Sequence, residues 1–274
     1  MTVLDALFDS DAFNRRVFFP RGDVSVCDGA ADVFVDVDAL SSSTLSSSDR
    51  AAARLHLRLH PCDGQQVRVL LFHGNGEVVA DYDDAAAACA DVGAGLAGLA
   101  VVDFRGYGQS TGIPSLRAIV DDAAAVVRAV VAHDGGRPIV VMGRSLGSLC
   151  AAEIAGTADA HVAAHVDGII IESGIARLAG LIERRGLPVP AVISGSRYDP
   201  LPKVKRNRRP LLVLHGEDDE IIDVSEGQEL FEAATAEHKM LRRVPGRGHN
   251  DISGARVYWE TLRQFIASIA EQRP

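Results

Sequence analysis

The sequence lacks the features that mark several classes of protein. Its cysteines are few and scattered, with no Cys-x-x-Cys pair of the kind that indicates a zinc site or a disulfide framework: Cys27, Cys62, Cys89 and Cys150. Reduced thiols of this kind are typical of a cytoplasmic compartment. The first residues carry Asp5 and Asp9 and no long apolar run, so they do not resemble a secretory signal. The sequence therefore predicts a cytoplasmic protein.

A net positive charge is absent as well. The chain has 28 lysines and arginines against 37 aspartates and glutamates, and this acidic balance argues against nucleic acid and anionic membranes as partners. No window approaches the roughly 20 apolar residues of a transmembrane segment. One local exception is "KVKRNRRP", residues 203–210, which we interpret as a solvated loop. The alternative is that this basic run guides an acidic substrate or a lipid surface.

Continuous apolar runs predict the central strands of a parallel sheet. Such runs fit strands that are covered on both faces, and they occupy residues 67–72, 98–104, 138–143, 166–172 and 210–216. Amphipathic stretches separate them, as in residues 115–134, where apolar side chains recur at helical spacing. Residues 32–40 and 53–60 alternate between apolar and polar instead. They predict an antiparallel hairpin at the sheet edge, joined by a serine-rich loop over 41–49.

This alternation predicts a single α/β domain over residues 1–274, with a mostly parallel, doubly wound sheet and helices on both faces. A chain of this length fits one core, and no linker or internal repeat divides it. The connection over residues 174–209 is longer than the usual roughly 2–6 residues. It contains "IARLAGLIERRG", which predicts a helix. We interpret this segment as a small lid at most, beside an open cleft.

The stretch "GRSLG", residues 143–147, has the spacing of a nucleophile elbow. It follows an apolar run and precedes the helix-like "LGSLCAAEIAG", which is the strand–turn–helix context that such an elbow requires. A serine hydroxyl is a weak nucleophile that needs a base, an acid to orient the base, and donors for the oxyanion. The context predicts Ser145 as a nucleophile rather than a serine of an ordinary glycine-rich loop.

Later parts of the chain supply candidates for the acid and the base. "LLVLHGEDDEIID" places three carboxylates after a predicted strand, and the pattern alone leaves the choice open between Asp218, Asp219 and Asp223. "VPGRGHNDI" places His249 in a glycine-rich loop ahead of the last predicted helix. The other histidines are interpreted as structural, including His73 and His215 in "HG" turns after strands. The order serine, acid, histidine is one of those that a Ser–His–Asp triad takes along a chain.

The oxyanion of an acyl-transfer reaction needs two backbone amides. One is the N–H of Leu146, directly after the nucleophile. The other is expected from "HGNGE", residues 73–77, with Asn75 as the candidate; Gly76, next to it, is a candidate for substrate binding. Arg144 precedes the nucleophile, and its side chain is expected to leave the turn on another face. We interpret it as a structural ion-pair partner of a nearby carboxylate, with substrate binding as the alternative.

With these motifs in this order, the sequence resembles the α/β-hydrolase superfamily over nearly its whole length. The resemblance rests on "HGNGE" (73–77), "DFRGYGQSTGIPS" (103–115), "GRSLG" (143–147), "LLVLHGEDDEIID" (211–223) and "GRGHND" (246–251). The loop after Arg105 is more similar to the serine-aminopeptidase-like and protein-depalmitoylase-like branch, whose members have little or no cap. In that branch the pattern His-Gly-x-x-Asp marks the acid. The resemblance thus implies Ser145 as nucleophile, Asp219 as acid and His249 as base.

These residues predict a serine hydrolase that cleaves a carboxylic ester or thioester through an acyl-enzyme. Its substrate is expected to be a small or acyl-bearing molecule, and the reaction needs no metal and no organic cofactor. A peptide or amide hydrolase would use the same triad, with Glu77, Glu172 or Glu183 as candidate acids for a substrate amine. A non-catalytic binding protein on a hydrolase fold is the third hypothesis. Acyl length, oligomeric state and partner proteins are not predicted.

Overall fold

The computed structural model describes residues 3–8, 10–39, 51–62, 67–92 and 97–271. Within these ranges the chain forms one sheet of eight strands: β1 (Ala31–Val37), β2 (Ala53–Leu59), β3 (Val67–Phe72), β4 (Ala97–Val102), β5 (Ile139–Arg144), β6 (Val166–Glu172), β7 (Leu211–Gly216) and β8 (Lys239–Val244). The predicted serine-rich loop over 41–49 lies outside the described residues, as does the last residue of the first predicted hairpin strand.

The sheet is antiparallel at one edge and parallel elsewhere, in the order β1-β2-β4-β3-β5-β6-β7-β8. β2 pairs antiparallel with both β1 and β4. All the other neighbours, from β4 and β3 through to β7 and β8, pair in parallel. The predicted edge hairpin and the mostly parallel sheet are therefore confirmed. The carboxyl ends of β3, β5, β6 and β7 lie along one edge, which is where ligands bind in sheets of this type.

Helices cover both faces of the sheet. They are α1 (Val3–Phe8), α2 (Asp11–Val17), α3 (Asp83–Val92), α4 (Leu116–Asp134), α5 (Ser148–Ala155), α6 (Ala160–His165), α7 (Leu178–Arg184), α8 (Pro200–Arg206), α9 (Val224–Ala233) and α10 (Arg256–Glu271). The described residues also form short 3-10 turns at Val79–Tyr82, Ser145–Gly147 and Ile252–Gly254. None of the helices in the described ranges has the length and apolar character needed to cross a bilayer.

The apolar runs of the sequence arise because the central strands are buried on both sides. Successive residues of a strand face opposite sides of the sheet. Leu70 and Phe72 of β3 lie in the core that α4 and α5 cover, whereas Val69 and Leu71 lie in the core that α3 and α10 cover. Because helices cover both faces of the sheet, apolar side chains are needed on both. The strand therefore shows a continuous apolar run and not the alternation of apolar and polar residues that is typical of a sheet with one exposed face.

The longest helix, α4, begins and ends at residues suited to caps. The Ser115 hydroxyl accepts a hydrogen bond from the Ala118 amide at 3.0 Å, which satisfies a donor of the first turn. Gly135 follows the last turn with a φ of 64°, a left-handed conformation that costs glycine little. Local sequence therefore sets the length of this helix, and its apolar stripe packs it onto the sheet.

The basic run over residues 203–210 is not the solvated loop that its composition predicts. It begins within α8, and the Lys203 side chain is only 5% exposed. Its ammonium lies 2.6 Å from a carboxylate oxygen of Glu153 in α5. Arg209 donates to the Val166 carbonyl at 2.9 Å. Partners from distant segments bring these two charges into the fold, because paired or hydrogen-bonded cations can be buried where isolated ones cannot.

Candidate active site

A sharp turn after β5 carries Ser145. Its φ of 51° lies in the left-handed region, which residues other than glycine rarely adopt. Small neighbours make room for this turn: a Cβ on Gly143 would overlap the carbonyl of Gly147, and a Cβ on Gly147 would overlap the carbonyl of Phe72 in β3. The strained turn therefore holds the serine at the carboxyl edge of the sheet, which is the geometry of a nucleophile elbow.

His249 connects Ser145 with Asp219. Its Nε2 lies 2.9 Å from Ser145 Oγ, and its Nδ1 lies 2.8 Å from Asp219 Oδ2. The three residues come from the turn after β5, the loop after β7 and the loop after β8. All three are buried, which limits competition from water for these hydrogen bonds. The structure thus brings together the serine, the carboxylate and the imidazole that the sequence analysis selects.

Asp219 is held by its own loop as well as by His249. Its Oδ1 accepts hydrogen bonds from the amides of Ile221 at 2.9 Å and Ile222 at 2.8 Å. Its Oδ2 lies 3.3 Å from His215 Nε2. Burial alone would raise the pKa of Asp219, but the nearby His215 imidazole and the hydrogen bonds from His249 and the Ile222 amide outweigh it and hold that pKa well below its usual range. The carboxylate is therefore ionised and fixed in direction.

The other two aspartates of this stretch have different places. Asp218 is exposed, and its amide donates to the Arg247 carbonyl at 2.9 Å. Asp223 is the N-cap of α9, where its side chain accepts a hydrogen bond from the Ser225 amide at 2.9 Å. Of the three candidates in "LLVLHGEDDEIID", only Asp219 lies against the histidine.

The loop over residues 73–77 lies next to the elbow and is fixed by the Asn75 side chain. Asn75 Oδ1 accepts hydrogen bonds from the Tyr107 hydroxyl at 2.7 Å and from the Phe19 amide at 3.0 Å. Its Nδ2 donates to the Val17 carbonyl. The segment before β1 therefore anchors this loop, and the side chain is occupied by structural contacts. Asn75 and Leu146 both line the cleft beside Ser145, which is where donors to an oxyanion would lie.

Arg144 ties three parts of the site together. Its guanidinium contacts Glu77 of the loop over 73–77 and lies 3.1 Å from Glu172 at the end of β6. It also donates to the His249 carbonyl at 2.9 Å and to Asn250 Oδ1 at 3.0 Å. Burial by itself would lower the pKa of Arg144, but Glu172 and Glu77 outweigh it and raise that pKa. These contacts are the ion pairs with carboxylates that the structural interpretation of Arg144 predicts.

A cleft of about 310 Å³ opens beside Ser145. Apolar side chains and polar or charged ones line it in equal number: Leu146, Ile175, Leu181, Ile221 and Ile222, and Asn75, Ser145, Arg184, Arg185 and Glu220. Neither Gly76 nor Arg144 belongs to this set. Leu181 and the two arginines come from the segment over 174–209, so this segment forms one wall of the cleft. The sequence analysis did not identify the arginines, whose signal is the adjacent pair in "IERRG" at the end of α7.

One group of side chains away from the cleft has the composition of a metal site. Ligand atoms of Cys27, His60 and Asp83 lie within 4.8 Å of one another. The Arg58 guanidinium, however, donates to Asp83 at 2.9 Å. The only carboxylate of the group is therefore already paired with a positive charge, and this pairing disfavours the binding of a metal cation.

Comparisons with known proteins find relatives in sequence and in fold. A family model described as serine aminopeptidase, S33, matches residues 64–189. The alpha/beta hydrolase domain-containing protein aho-3 of Caenorhabditis elegans is 31% identical over 169 residues, which are 60% of this chain and 47% of that protein. Human alpha/beta hydrolase domain-containing protein 17B is 29% identical over 170 residues, which are 60% of this chain and 54% of that protein. The chain thus spans about half the length of these relatives.

Solved structures extend the comparison of the fold to most of the chain. The esterase Pf2001 of Pyrococcus furiosus has a TM-score of 0.65 at 16% identity, with 91% of this chain and 98% of that one covered. At this identity the likeness concerns the fold. This likeness shows that the chain has the α/β-hydrolase fold, and in sequence the chain is similar to the serine aminopeptidase family and to the alpha/beta hydrolase domain-containing proteins.

Proposed function

We propose that this chain is a serine hydrolase that cleaves a carboxylic ester or thioester through Ser145, His249 and Asp219. The observation that carries the proposal is the continuous relay from Ser145 Oγ through both ring nitrogens of His249 to Asp219. A serine in a strained elbow, hydrogen-bonded to an imidazole that a buried carboxylate orients, is the arrangement that activates a hydroxyl for acyl transfer.

In this mechanism His249 Nε2 accepts the proton of Ser145 as Oγ attacks the acyl carbonyl. The tetrahedral oxyanion accepts hydrogen bonds from the amides of Leu146 and Asn75, and the start of α5 adds a favourable dipole. His249 then gives its proton to the leaving alcohol or thiol, and the acyl group stays on Ser145. Water, deprotonated by His249, attacks the acyl-enzyme and releases the acid. Asp219 remains ionised throughout and holds the imidazole in the required tautomer.

Ester or thioester cleavage is our first proposal because the three glutamates that the sequence offers for a substrate amine do not stand free in the cleft, whereas Glu220 at its rim keeps amide cleavage as the second candidate. A peptidase that binds a substrate amine needs a free carboxylate near the scissile bond. Glu77 and Glu172 are both ion-paired with Arg144, and Glu183 is not among the residues of the cleft. The family model named after a serine aminopeptidase supports amide hydrolysis as the second candidate, since the triad serves both reactions.

The test is an activity panel of matched aryl esters, thioesters and aminoacyl amides. Ser145→Ala should abolish turnover, whereas Ser253→Ala, at an exposed serine, should leave it unchanged. Turnover that survives Ser145→Ala would refute this mechanism, and amide rates above ester rates would reverse the preference. A fluorophosphonate probe should label Ser145. If the folded protein does not label, a non-catalytic binding role takes the place of the enzyme hypothesis.

We also propose that the chain works in the cytoplasm without a metal or organic cofactor. Cys27, Cys62 and Cys150 are free thiols, as expected in a reducing compartment. The proposed chemistry is complete with protein groups and water. Unchanged ester turnover after prolonged treatment with a chelator would support this part of the proposal, and loss of turnover that zinc restores would contradict it.

A further inference from the structure

The charges in the cleft beside Ser145 are not equally compensated. Arg184 pairs with Glu226 of α9, with its Nη1 2.5 Å from a carboxylate oxygen. Glu220 is exposed at the rim. Arg185 is half-buried, and its Nε is buried without a hydrogen-bond partner. Among the residues that the structure describes, no carboxylate forms an ion pair with Arg185.

The surroundings of Arg185 leave its positive charge without an anion. Its guanidinium carbon lies 5.1 Å from the ring centroid of Phe19, so one side of the group is covered by an aromatic face. Burial lowers the pKa of Arg185, and the neighbouring Arg184 lowers it further. Arginine nevertheless stays protonated in proteins. A charge that is partly removed from water and has no anionic partner is unfavourable, so an anion that enters this cleft gains free energy at Arg185.

The position of Arg185 relative to the reacting atoms is set by a short series of contacts. Arg185 stacks on Phe19, and the Phe19 amide donates to Asn75 Oδ1 at 3.0 Å. Asn75 belongs to the loop that is expected to bind the oxyanion, and it lines the same cleft as Ser145. The guanidinium therefore lies on the wall of the cleft, against Phe19 and close to the loop that carries Asn75.

We propose that Arg185 binds an anionic group, a carboxylate or a phosphate, on the substrate that Ser145 cleaves. The inference rests on the proposed serine hydrolase function and adds a substrate class to it. The planar guanidinium offers paired donors that match the oxygens of either group. The apolar part of the substrate would lie between Ser145 and Arg185, along the wall made by Ile175, Leu181, Ile221 and Ile222.

The test uses three aryl esters with the same acyl chain. One ends in a carboxylate, as in an adipate monoester, one ends in a phosphonate, and one ends in a neutral isopropyl group of similar shape. Arg185→Gln should lower kcat/KM for the anionic esters by about tenfold more than for the neutral ester, because hydrogen bonds to charged groups contribute on this scale. Most of the change is expected in KM, since the contact is made in both ground and transition states.

Two further variants sharpen the comparison. Arg185→Lys should retain part of the preference, because it keeps the charge but loses the paired donors. Arg256→Gln removes an arginine from α10 whose side chain is 91% exposed, and it should leave the ratio of anionic to neutral rates as in the wild type. Salt should reduce the preference in the wild type and not in Arg185→Gln. The carboxylate and phosphonate esters tell which anion the cleft prefers.

The two proposals fail in different ways. If turnover depends on Ser145 but Arg185→Gln leaves the anionic-to-neutral ratio unchanged, the anion site is refuted and the hydrolase stands. If none of the three esters shows Ser145-dependent turnover, the hydrolase proposal loses its support, and the anion site is decided by calorimetry. Adipate and the corresponding phosphonate should then bind more tightly to the Ser145→Ala protein than to the Ser145→Ala/Arg185→Gln protein. Equal affinity for the two proteins would refute the anion site.

Discussion

The guanidinium of Arg144 donates a hydrogen bond to the main-chain carbonyl of His249 at 2.9 Å. The residue before the proposed nucleophile therefore supports the backbone of the proposed base. The same side chain binds Glu172 and Glu77, so it joins the elbow, the end of β6 and the loop over 73–77. Because Arg144 does not line the cleft, these contacts point to a residue that positions others.

Arg144→Met is expected to lower both stability and kcat. Removing the cation leaves Glu172 buried without its partner, and breaking a buried pair costs about 3–5 kcal/mol, measurable by urea unfolding. In the folded fraction, kcat should fall while KM changes little, because His249 loses its support. Arg144→Lys keeps the charge, so its stability and its kcat should lie between those of the wild type and those of Arg144→Met. A folded Arg144→Met enzyme that loses activity only on acidic substrates would instead place Arg144 in substrate binding.

Asp219→Asn is expected to reduce kcat by about 10⁴-fold, the effect of this change in a well-studied triad, because an amide favours the wrong imidazole tautomer. Asp218→Asn is the matched control, since Asp218 is the adjacent, exposed aspartate. It should retain wild-type kcat in the same ester assay. If Asp218→Asn were the inactive variant, the assignment of the acid would move by one residue and the geometry around His249 would be contradicted.

A second buried imidazole, His56 on β2, should give stability a pH dependence unrelated to catalysis. Its Nδ1 lies 2.8 Å from Asp103 Oδ2, and its Nε2 lies 3.0 Å from Asp32 Oδ1. Burial by itself lowers the pKa of His56, but the hydrogen bonds with Asp103 and Asp32 outweigh it and raise that pKa above 6.5. The stabilisation is therefore fully present below pH 6.5 and is lost as pH rises through the folded-state pKa.

The free energy of unfolding of the wild type should therefore fall relative to His56→Gln as pH rises from 6.5 through the raised folded-state pKa of His56. Asp103 gives stability an opposite dependence at acidic pH. Burial would raise its pKa, but the hydrogen bond with His56 and the imidazole of His73, 3.6 Å away, lower it to about 2. Its contribution is lost as pH falls from 3.8 towards that value. Urea unfolding at several pH values measures both effects. If the free energies of unfolding of the wild type and His56→Gln changed in parallel above pH 6.5, the predicted effect of His56 would be contradicted.

Gly147→Ala is expected to disrupt the elbow. The new methyl group would overlap the Phe72 carbonyl of β3, which belongs to the rigid centre of the sheet. Overpacking of this kind costs about 1–3 kcal/mol, and ester turnover should fall further because Ser145 moves. Gly254→Ala is the control, since its nearest neighbours are atoms of the flexible Arg247 side chain. A Gly147→Ala protein with wild-type stability and turnover would show that the elbow tolerates a wider turn.

The sequence predicts the central strands well because their burial is two-sided. The run over 166–172 coincides with β6, and that over 67–72 with β3. β8 was not predicted, since "KMLRRV" is an edge strand in which only Val244 is fully buried and charged residues replace the apolar run. The basic run over 203–210 was interpreted wrongly for a related reason: the partner of Lys203 is Glu153, fifty residues earlier by sequence number, and composition does not reveal such pairs.

In the candidate site, too, local motifs predict some residues and not others. The elbow and the order of serine, acid and histidine follow from local motifs, and the resemblance to the superfamily selects Asp219 from three aspartates. The partners of Arg144 do not follow from any motif, because Glu77 lies 67 residues away and joins it only when β3 and β5 pair. Arg185 is likewise a surface arginine by sequence, and only its position over Phe19 beside Ser145 gives it a chemical meaning.

The anchoring of Asn75 by Phe19 and Val17 affects how this protein can be divided or fused. The proposed catalytic groups all follow β2 in the chain, yet the loop beside them is held by residues that precede β1. A deletion that removes Val17 and Phe19 is therefore expected to change turnover without altering any proposed reacting group. A working minimal version must keep the segment from α2 to Phe19, although no part of that segment carries chemistry of its own.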